Sequence, residues 1–204
     1  GDEVVAAGND AAHGQIFDAN RPMLKAMLQS KQIEVIDCGI VPDRLDALAN
    51  AYEQALQKAD VVISSGGASD GIEDHTQQAM RQIGASCAFW RLAMKPGRPM
   101  AVGRHEKQLI FCVPGNPVAA FVCTRLLINP VLTRLLGGIV QPILKIGVPA
   151  GFTHRKKPGR AEFLRVVIVD DGDGQVLQLH GRKGAGVISS LTGADGLVEI
   201  PLEN

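Results

Sequence analysis

The sequence predicts an α/β protein in two parts. A three-layer domain with a mainly parallel sheet and helices on both faces comes first, and a small all-β, barrel-like domain follows. In the first part, short β-branched runs alternate with helical patterns, which is typical of right-handed crossovers. In the second part, short strand patterns follow one another without a long helical stretch. Gly137-Gly138 and Pro142 mark the change, so we predict domains over residues 1–138 and 139–204.

The helices of the first domain are predicted from apolar residues at helical spacing and from residues that begin or end a helix. The first helix is capped by Asp18 or Asn20 and has Pro22 in its first turn. Its apolar face is formed by Met23, Leu24, Met27 and Leu28. The other predicted helices cover residues 45–58, 73–83 and 118–136, the last with a kink at Pro130.

The strands are predicted from short apolar runs that end at Gly, Pro or polar turn residues. In the first domain they are residues 33–40, a buried strand that begins at Val61, residues 88–94, and a hairpin of residues 100–103 and 109–113. In the second domain they are residues 143–148, 161–169, 176–179, 187–190 and 197–200. The acidic, Gly-containing residues 170–174 predict a hairpin turn. A β domain of about 60 residues is near the lower size limit for independent folding, so we expect it to pack on the first domain.

Composition excludes several classes of function. The 204 residues carry 21 Lys and Arg against 21 Asp and Glu, and a net charge of zero gives no support for binding nucleic acid or an anionic membrane. No apolar run reaches the length of a membrane span, and the opening Gly1-Asp2-Glu3 is unlike a signal peptide. The four cysteines are scattered through apolar stretches without a CxxC pair, so we expect reduced, buried thiols in a cytoplasmic protein.

A strand, a glycine-rich turn and a helix follow one another from Val61 to Ile83. Gly66 and Gly67 allow close approach of the backbone and positive φ angles. The start of the next helix offers free N–H groups, which favour an anion such as phosphate. The alternative is that the two glycines only turn the chain, since short motifs give false positives. The loop is neither a Walker A sequence nor a dinucleotide-binding fingerprint.

Three loops follow strands in the first domain, namely those at Gly66-Gly67, at Lys95 and at Gly115. In open, mainly parallel sheets the ligand binds beyond the carboxyl ends of the strands. We therefore expect the three loops to reach the same rim.

The loop motifs occur in a fixed order that resembles a known family. They are Ser65-Gly66-Gly67-x-Ser69-x-Gly71-x-x-Asp74, Met94-Lys95-Pro96-Gly97-Arg98-Pro99 and Pro114-Gly115-Asn116-Pro117-Val118. Supporting motifs are Gly1-Asp2-Glu3, Gln15-Ile16-Phe17-Asp18-x-Asn20-Arg21, Gly39-Ile40-Val41-x-Asp43, Glu162-Phe163-Leu164-Arg165 and Ser189-Ser190-Leu191-x-x-Ala194-Asp195-Gly196. Each is weak alone, but the ordered set covers the whole chain and is similar to the molybdopterin molybdenumtransferases, the MoeA-type enzymes that include the gephyrin E domain.

The resemblance implies a molybdopterin-binding-like fold and a role in molybdenum cofactor biosynthesis. Members of this family insert molybdate into adenylylated molybdopterin with the help of Mg²⁺ and release AMP. The two N-terminal domains of the family and the strand that should precede Gly1 are missing from the sequence. Because the family's active site lies between subunits and uses an N-terminal domain of the partner, we expect a homodimer that binds ligand without turning it over. A molybdopterin adenylyltransferase is a further expected partner.

The family motifs also assign roles to residues. The catalytic residues would be Asp74, Asp43, Lys95, Arg91 and Glu3, and Asp74 and Asp43 would also hold the metal. The residues that bind molybdopterin would be Ser65, Gly66, Gly67, Ser69, Gly71, Pro96, Gly97, Gly115 and Asn116. Lys95 and Arg91 would compensate the negative charge of phosphate and molybdate.

Structural alternatives stand beside these roles. Asp74 would stabilise a helix start without any ligand, and Asp43 would serve as an N-cap. Lys95 would be a solvated surface lysine, and Gly115 and Asn116 would only end a strand and cap a helix.

Some positions depart from the family pattern. Arg91 replaces a lysine, Asp70 replaces a small or apolar residue, and Ala185 replaces a serine that some members carry. Two other functions therefore stay open: a molybdopterin adenylyltransferase-like enzyme and a non-catalytic scaffold. The adenylyltransferases generally lack the β tail after Gly138, which argues against the first of these.

Overall fold

The computed structural model describes residues 1–66, 75–181 and 188–202. A four-stranded sheet forms the centre of the first part, in the order β3 (Val61–Ser65), β7 (Gln108–Val113), β6 (Pro99–His105) and β4 (Ser86–Arg91). β3 pairs with β7 in parallel, while the β7–β6 and β6–β4 pairs are antiparallel. The predicted hairpin is confirmed, but the prediction of a mainly parallel sheet is wrong here, because that hairpin occupies the middle of the sheet.

Helices cover both faces of this sheet, as the fold class predicts. On one face, α2 (Leu45–Leu56) and α3 (His75–Gln82) pack against Ile110 and Cys112. On the other face, α1 (Asn20–Leu28) and α4 (Pro117–Cys123) pack against Phe111 and Val113. These four residues of β7 are each at most 3% exposed, so the alternating side chains of one strand reach two separate hydrophobic layers.

The direction of the strands brings three chain ends to one edge of the sheet. β4 is antiparallel to β6, and β6 is antiparallel to β7, so β4 runs in the same direction as β7 and β3. Ser65, Arg91 and Val113 therefore end their strands at the same edge.

Residues 33–40 have no regular secondary structure, which corrects the predicted strand. Val35 packs on the core, whereas Ile36 is 46% exposed. This segment and β3 both line a cavity of about 2070 Å³. The gap between them leaves the segment without a ladder partner, and alternating apolar residues alone do not make a strand. Near the N-terminus, β1 (Val4–Val5) and β2 (Ile16–Phe17) form a short parallel pair.

Pro130 interrupts the predicted long helix. A π-helical turn over Thr124–Ile128 joins α4 to α5 (Asn129–Leu135). The Asn129 N–H donates to the Thr124 carbonyl, five residues earlier, and the extra residue in this turn accommodates a proline that has no N–H of its own.

The helical region Pro117–Leu135 also corrects the expectation that no segment is long and apolar enough to span a membrane. Within the described residues, this helical region has a length of 19 residues and a mean hydropathy of 1.4, which are sufficient for a membrane span by length and composition. Val118, Val122 and Ile128 are nevertheless at most 1% exposed and pack in the protein core. The composition is therefore that of a core helix.

The second part is organised by the long strand β8 (Ala161–Asp170). It pairs with β10 (Gly196–Ile200) and β9 (Gln175–Leu179) in antiparallel fashion, and with β5 (Met94–Lys95) of the first part in parallel. β5 therefore joins the two parts, in agreement with the expected packing of the tail. These pairings include no closed ring among the described strands, so a barrel-like form stays a prediction, as do the exact domain boundaries.

Two predicted strands of the second part are wrong. Residues 143–148 have no regular secondary structure, and Ile188–Ser190 is a 3₁₀ turn. Ile143, Leu144 and Ile146 are 58–83% exposed. These apolar residues have the composition of a strand but form no ladder with the described strands, although Lys145 among them reaches β10 through its side-chain contact with Glu199.

Gly97 is constrained in two ways by the core beneath it. Its φ angle is +105°, and a Cβ atom placed on it would lie 2.7 Å from Cys123 Sγ. We expect Gly97→Ala to lower the free energy of unfolding by about 2 to 4 kcal/mol, because strain and overpacking add. Urea denaturation measures this effect. Gly172→Ala is the matched control, because Gly172 has a similar φ of +97° but a Cβ atom on it would meet open space. This substitution should lower the free energy of unfolding by about 1 kcal/mol. Equal losses in the two variants would contradict the role of the Cys123 contact.

Candidate functional site

The first and third loops touch each other through glycine backbone. Gly66 follows β3 with a φ of +88°, and its N–H donates to the Val113 carbonyl at 3.1 Å. A Cβ atom on Gly115 would lie 3.3 Å from the Gly66 Cα atom. Beneath this contact, the Cys112 thiol donates to the Gly66 carbonyl at 3.1 Å. The two loops are thus fixed at one point, where a side chain on Gly115 would be crowded and the positive φ of Gly66 favours glycine.

Asn20 holds the third loop from the side of α1. Its Nδ2 donates to the Gly115 carbonyl at 2.8 Å, and the residue is only 8% exposed. Because a carbonyl accepts but does not donate, the amide nitrogen must face Gly115. The Oδ1 atom is then buried without a hydrogen-bond partner in the described part of the chain. Burying such an acceptor carries an energetic cost. Of the two predicted caps of α1, Asp18 accepts from the Arg21 N–H at 3.0 Å, whereas Asn20 is the first helical residue and its side chain holds Gly115 instead.

Asn116 caps α4, as the structural alternative predicts. Its Oδ1 accepts from the Ala119 N–H at 3.5 Å, and Pro117 begins the helix. The cap fixes the place where the third loop leaves the sheet.

The N-terminal turn and the residues before α2 are bound to each other. The Asp43 Oδ2 atom accepts from the Asp2 N–H at 3.1 Å, and the Asp43 N–H donates to Asp2 Oδ1 at 3.2 Å. Arg44 is the residue that precedes α2, and no side chain caps that helix. The alternative that Asp43 is an N-cap is therefore wrong. Its carboxylate instead lies on the wall of the cavity, together with Glu3.

The second loop leads to a cluster of charged and polar side chains between the two parts. Lys95 Nζ lies 3.2 Å from Glu162 Oε1, and His154 Nε2 lies 2.8 Å from Glu162 Oε2. The side chain of Glu162 is 4% exposed, whereas that of Lys95 is 57% exposed. Lys95 is therefore not an isolated surface lysine. The Lys95–Pro96 peptide bond is cis, and the Gly97 carbonyl accepts a hydrogen bond from the Cys123 thiol at 3.7 Å.

The environment of Glu162 keeps it ionised. Burial acts to raise the pKa of this carboxyl group, but hydrogen bonds from His154 and Lys95 and the charge of Lys95 outweigh it, so the pKa lies below its ordinary value. A carboxylate only accepts hydrogen bonds, so the Nε2 atom of His154 must carry its proton.

The cavity brings together some of the predicted site residues and leaves others out. Its wall includes Glu3, Asp43, Ser65, Gly66, Gly115 and Asn116. Arg91, Lys95, Pro96 and Gly97 do not line it. Gly67, Ser69, Gly71 and Asp74 lie outside the described residues, as do Asp70 and Ala185. The expectation of one shared rim therefore holds for the first and third loops, while the second loop packs beside α4 through Gly97.

The sequence reasoning missed three residues that support the site. The sequence predicts Asn20 only as one of two alternative caps, and Glu162 only as part of a motif. His154 was one of five scattered histidines. A glutamate inside an apolar strand pattern was the available indication for Glu162, because buried carboxylates are rare unless they are paired.

Mg²⁺, which the family resemblance implies, is compatible with the donor chemistry of Asp43. Among the described residues no group of three or more His, Cys, Asp or Glu side chains comes together. However, Mg²⁺ is usually bound by only one or two carboxylates together with substrate phosphates and water. Asp43 offers such a carboxylate on the cavity wall. Asp74, the other predicted ligand, lies outside the described residues.

Two family models match the chain. Residues 1–134 match the family described as "Probable molybdopterin binding domain", and residues 148–204 match "MoeA C-terminal region (domain IV)". A molybdopterin molybdenumtransferase of Haemophilus influenzae is 34% identical over 100% of this chain and 50% of that protein. The corresponding protein of Nostoc is 35% identical over 69% of this chain and 33% of that protein. The chain thus spans half or less of the length of these curated relatives.

Solved structures agree with these matches. The molybdopterin biosynthesis MoeA protein from Pyrococcus horikosii has a TM-score of 0.72 and 30% identity, over 98% of this chain and 48% of that one. A molybdenum cofactor biosynthesis protein from Pyrococcus furiosus has a TM-score of 0.60 and 29% identity, over 91% of this chain and 59% of that one.

The cap at Asn116 can be separated from any role in binding. We expect Asn116→Ala to lower the free energy of unfolding by about 1 kcal/mol, because an N–H at the start of α4 loses its acceptor. Asn116→Asp keeps an acceptor oxygen and should stay close to the wild type. Urea denaturation of both variants checks this expectation, and an unchanged midpoint for Asn116→Ala would count against the cap.

The lowered pKa of Glu162 predicts how stability depends on pH. The ionised carboxylate stabilises the folded state above the ordinary carboxyl pKa of 4.5. This stabilisation is lost as the pH falls through the lower pKa of the folded state. We expect the free energy of unfolding to fall below about pH 5, and Glu162→Gln to reduce the slope.

Denaturation in urea between pH 7 and pH 3 measures this slope. Glu199→Gln is the control, because Glu199 is more exposed and pairs with the exposed Lys145, so it should change the slope little. An identical slope in Glu162→Gln and the wild type would refute the assignment.

Proposed function

We propose that this chain binds molybdopterin and acts in molybdenum cofactor biosynthesis, because it belongs to the family of MoeA-type molybdopterin-binding proteins. The reaction we propose is the insertion of molybdate into adenylylated molybdopterin with release of AMP. Because the chain spans half or less of its curated relatives, we expect it to bind the ligand and to need further domains for turnover.

One observation carries this proposal. The first and third loops meet at Gly66 and Gly115, on a cavity wall that also includes Glu3 and Asp43. Backbone without side chains allows a ligand to approach closely, and carboxylates nearby suit a metal ion. The site therefore combines features that a phosphate-bearing ligand with a divalent cation requires.

Each predicted residue has a role in this proposal. Ser65, Gly66, Gly67, Ser69 and Gly71 would bind on the phosphate side of the ligand, and Gly115 and Asn116 would contribute contacts from the third loop. Pro96 and Gly97 shape the second loop. Asp43 and Asp74 would hold Mg²⁺, and Glu3 would act beside them. Mg²⁺ would supply positive charge that offsets the charge of the phosphate and molybdate.

The physical task of the site is to hold two anions near each other. Molybdate and the phosphate of molybdopterin repel unless cations lie between or beside them. Arg91 is the last residue of β4 and Lys95 the last residue of β5, and both residues are exposed. In our proposal they supply the protein's share of the positive charge and orient the molybdate oxygens.

The assembly and location are also proposals. We propose a cytoplasmic homodimer that completes the active site with residues of the partner subunit and receives its substrate from a molybdopterin adenylyltransferase. The adenylyltransferase-like alternative is disfavoured by the tail, because residues 148–204 match the C-terminal region of MoeA.

Calorimetry with adenylylated molybdopterin tests the proposal. We expect binding by the wild type to need Mg²⁺, and Lys95→Ala and Asp43→Asn to weaken it about 10- to 100-fold, since each removes one charged contact. The controls are Lys145→Ala and Asp46→Asn, two exposed residues away from the cavity wall. A folded chain that binds no ligand with or without Mg²⁺ would contradict the proposed function and favour the scaffold alternative.

A further inference from the structure

Glu162 is a buried carboxylate that contacts the lysine proposed to bind oxyanions. Its side chain is 4% exposed and comes from β8 in the second part, whereas Lys95 comes from β5 in the first. The two residues are direct neighbours in the parallel pairing of these strands. Among the described strand pairs, only β5 and β8 connect the two parts, and the ion pair of Lys95 with Glu162 lies at this connection.

The carboxylate of Glu162 is held in place on several sides. Lys95 approaches Oε1 at 3.2 Å, and His154 donates to Oε2 at 2.8 Å. The backbone of Glu162 lies between Lys95 of β5 and Ile200 of β10 in the sheet. Because both oxygens have partners and the backbone is in a sheet, the carboxylate has little freedom to rotate.

Lys95 is mobile by nature, and Glu162 restricts it. A lysine side chain has several rotatable bonds and loses rotamer entropy when it is fixed. Its ammonium group has three N–H donors. One is directed at Glu162 Oε1, and the 57% exposure of the side chain leaves the outer donors accessible. The contact thus fixes the position of Nζ without occupying all its donors.

We propose that Glu162 is a positioning residue, which orients the Lys95 ammonium for an oxyanion such as molybdate and is itself anchored by His154. This inference rests on the proposed function of Lys95. Glu162 does not touch the oxyanion; it acts through Lys95. The negative charge of Glu162 lowers the affinity for an anion, whereas its hydrogen bond to Lys95 raises that affinity by orienting the ammonium group.

Two substitutions of equal charge separate these effects. Glu162→Gln removes the charge but keeps an oxygen acceptor for Lys95, whereas Glu162→Met removes both at similar side-chain length. We expect Glu162→Gln to bind molybdate at least about fivefold more tightly than Glu162→Met, because only Gln retains a hydrogen bond to the lysine. In a Lys95→Ala background this difference should disappear. Calorimetric titration with sodium molybdate measures the two single variants, the two double variants and Lys95→Ala beside the wild type.

A spectroscopic measurement checks the position of Lys95 without any ligand. In ¹H–¹⁵N spectra of lysine-labelled protein, we expect an ammonium signal that is absent from Lys95→Ala to persist in Glu162→Gln. In Glu162→Met the same signal should broaden or disappear, because the protons exchange faster with water. The Lys145 signal is the internal control, since that ammonium is 72% exposed and pairs with Glu199 instead.

The outcomes distinguish the inference from the proposed function. Equal molybdate affinities of Glu162→Gln and Glu162→Met, with a loss of affinity in Lys95→Ala, would overturn the positioning role and leave the role of Lys95 intact. Molybdate binding that is unaffected by Lys95→Ala, or absent in the wild type, would overturn both. Urea denaturation of each variant shows whether the protein remains folded, and a lysine signal unchanged in Glu162→Met would also overturn the inference.

Discussion

The double-sided burial of β7 is the constraint on which the rest of this structure depends. Its residues Ile110 to Val113 are at most 3% exposed, and they alternate between two hydrophobic layers. β7 also pairs with β3 on one side and with β6 on the other. The third loop begins where β7 ends, and the first loop follows β3, which pairs with β7. The packing of β7 therefore fixes the positions at which both loops leave the sheet. A site made of loops is therefore supported by a strand that is closely packed on both faces.

Two buried thiols connect this core to the loops above it. Cys112 donates to the carbonyl of Gly66, and Cys123 donates to that of Gly97. Both residues are fully buried, and burial raises the pKa of the Cys123 thiol to about 12. The Cys123 thiol therefore stays protonated, and both residues act as small hydrophobic residues with one weak donor. Cys38, by contrast, is exposed and Cys87 is only half-buried, so the expectation of four buried thiols is wrong for Cys38 and holds only in part for Cys87.

The sequence predicted what local chemistry decides. The helix faces, the β6–β7 hairpin, the turn at residues 170–174 and the three loops all follow from nearby residues. It failed where distant pairing decides: the sheet is mixed, and residues 33–40 lack a partner strand. The contact of Lys95 with Glu162, 67 residues apart, had no local indication. The site was therefore predicted as separate motifs, whereas their grouping into a cavity wall and an interdomain ion pair needed the fold.

The free side of β3 has a consequence for the behaviour of the chain in solution. Among the described strands β3 pairs with β7 alone, so its other edge presents N–H and C=O groups to the cavity. The side chains of Val61 and Ile63 pack on the hydrophobic core, so the edge itself offers backbone groups, and such an edge is a template for an additional strand from another molecule. Self-association at high concentration would then begin by edge-to-edge pairing at β3, in a native-like state rather than through unfolding.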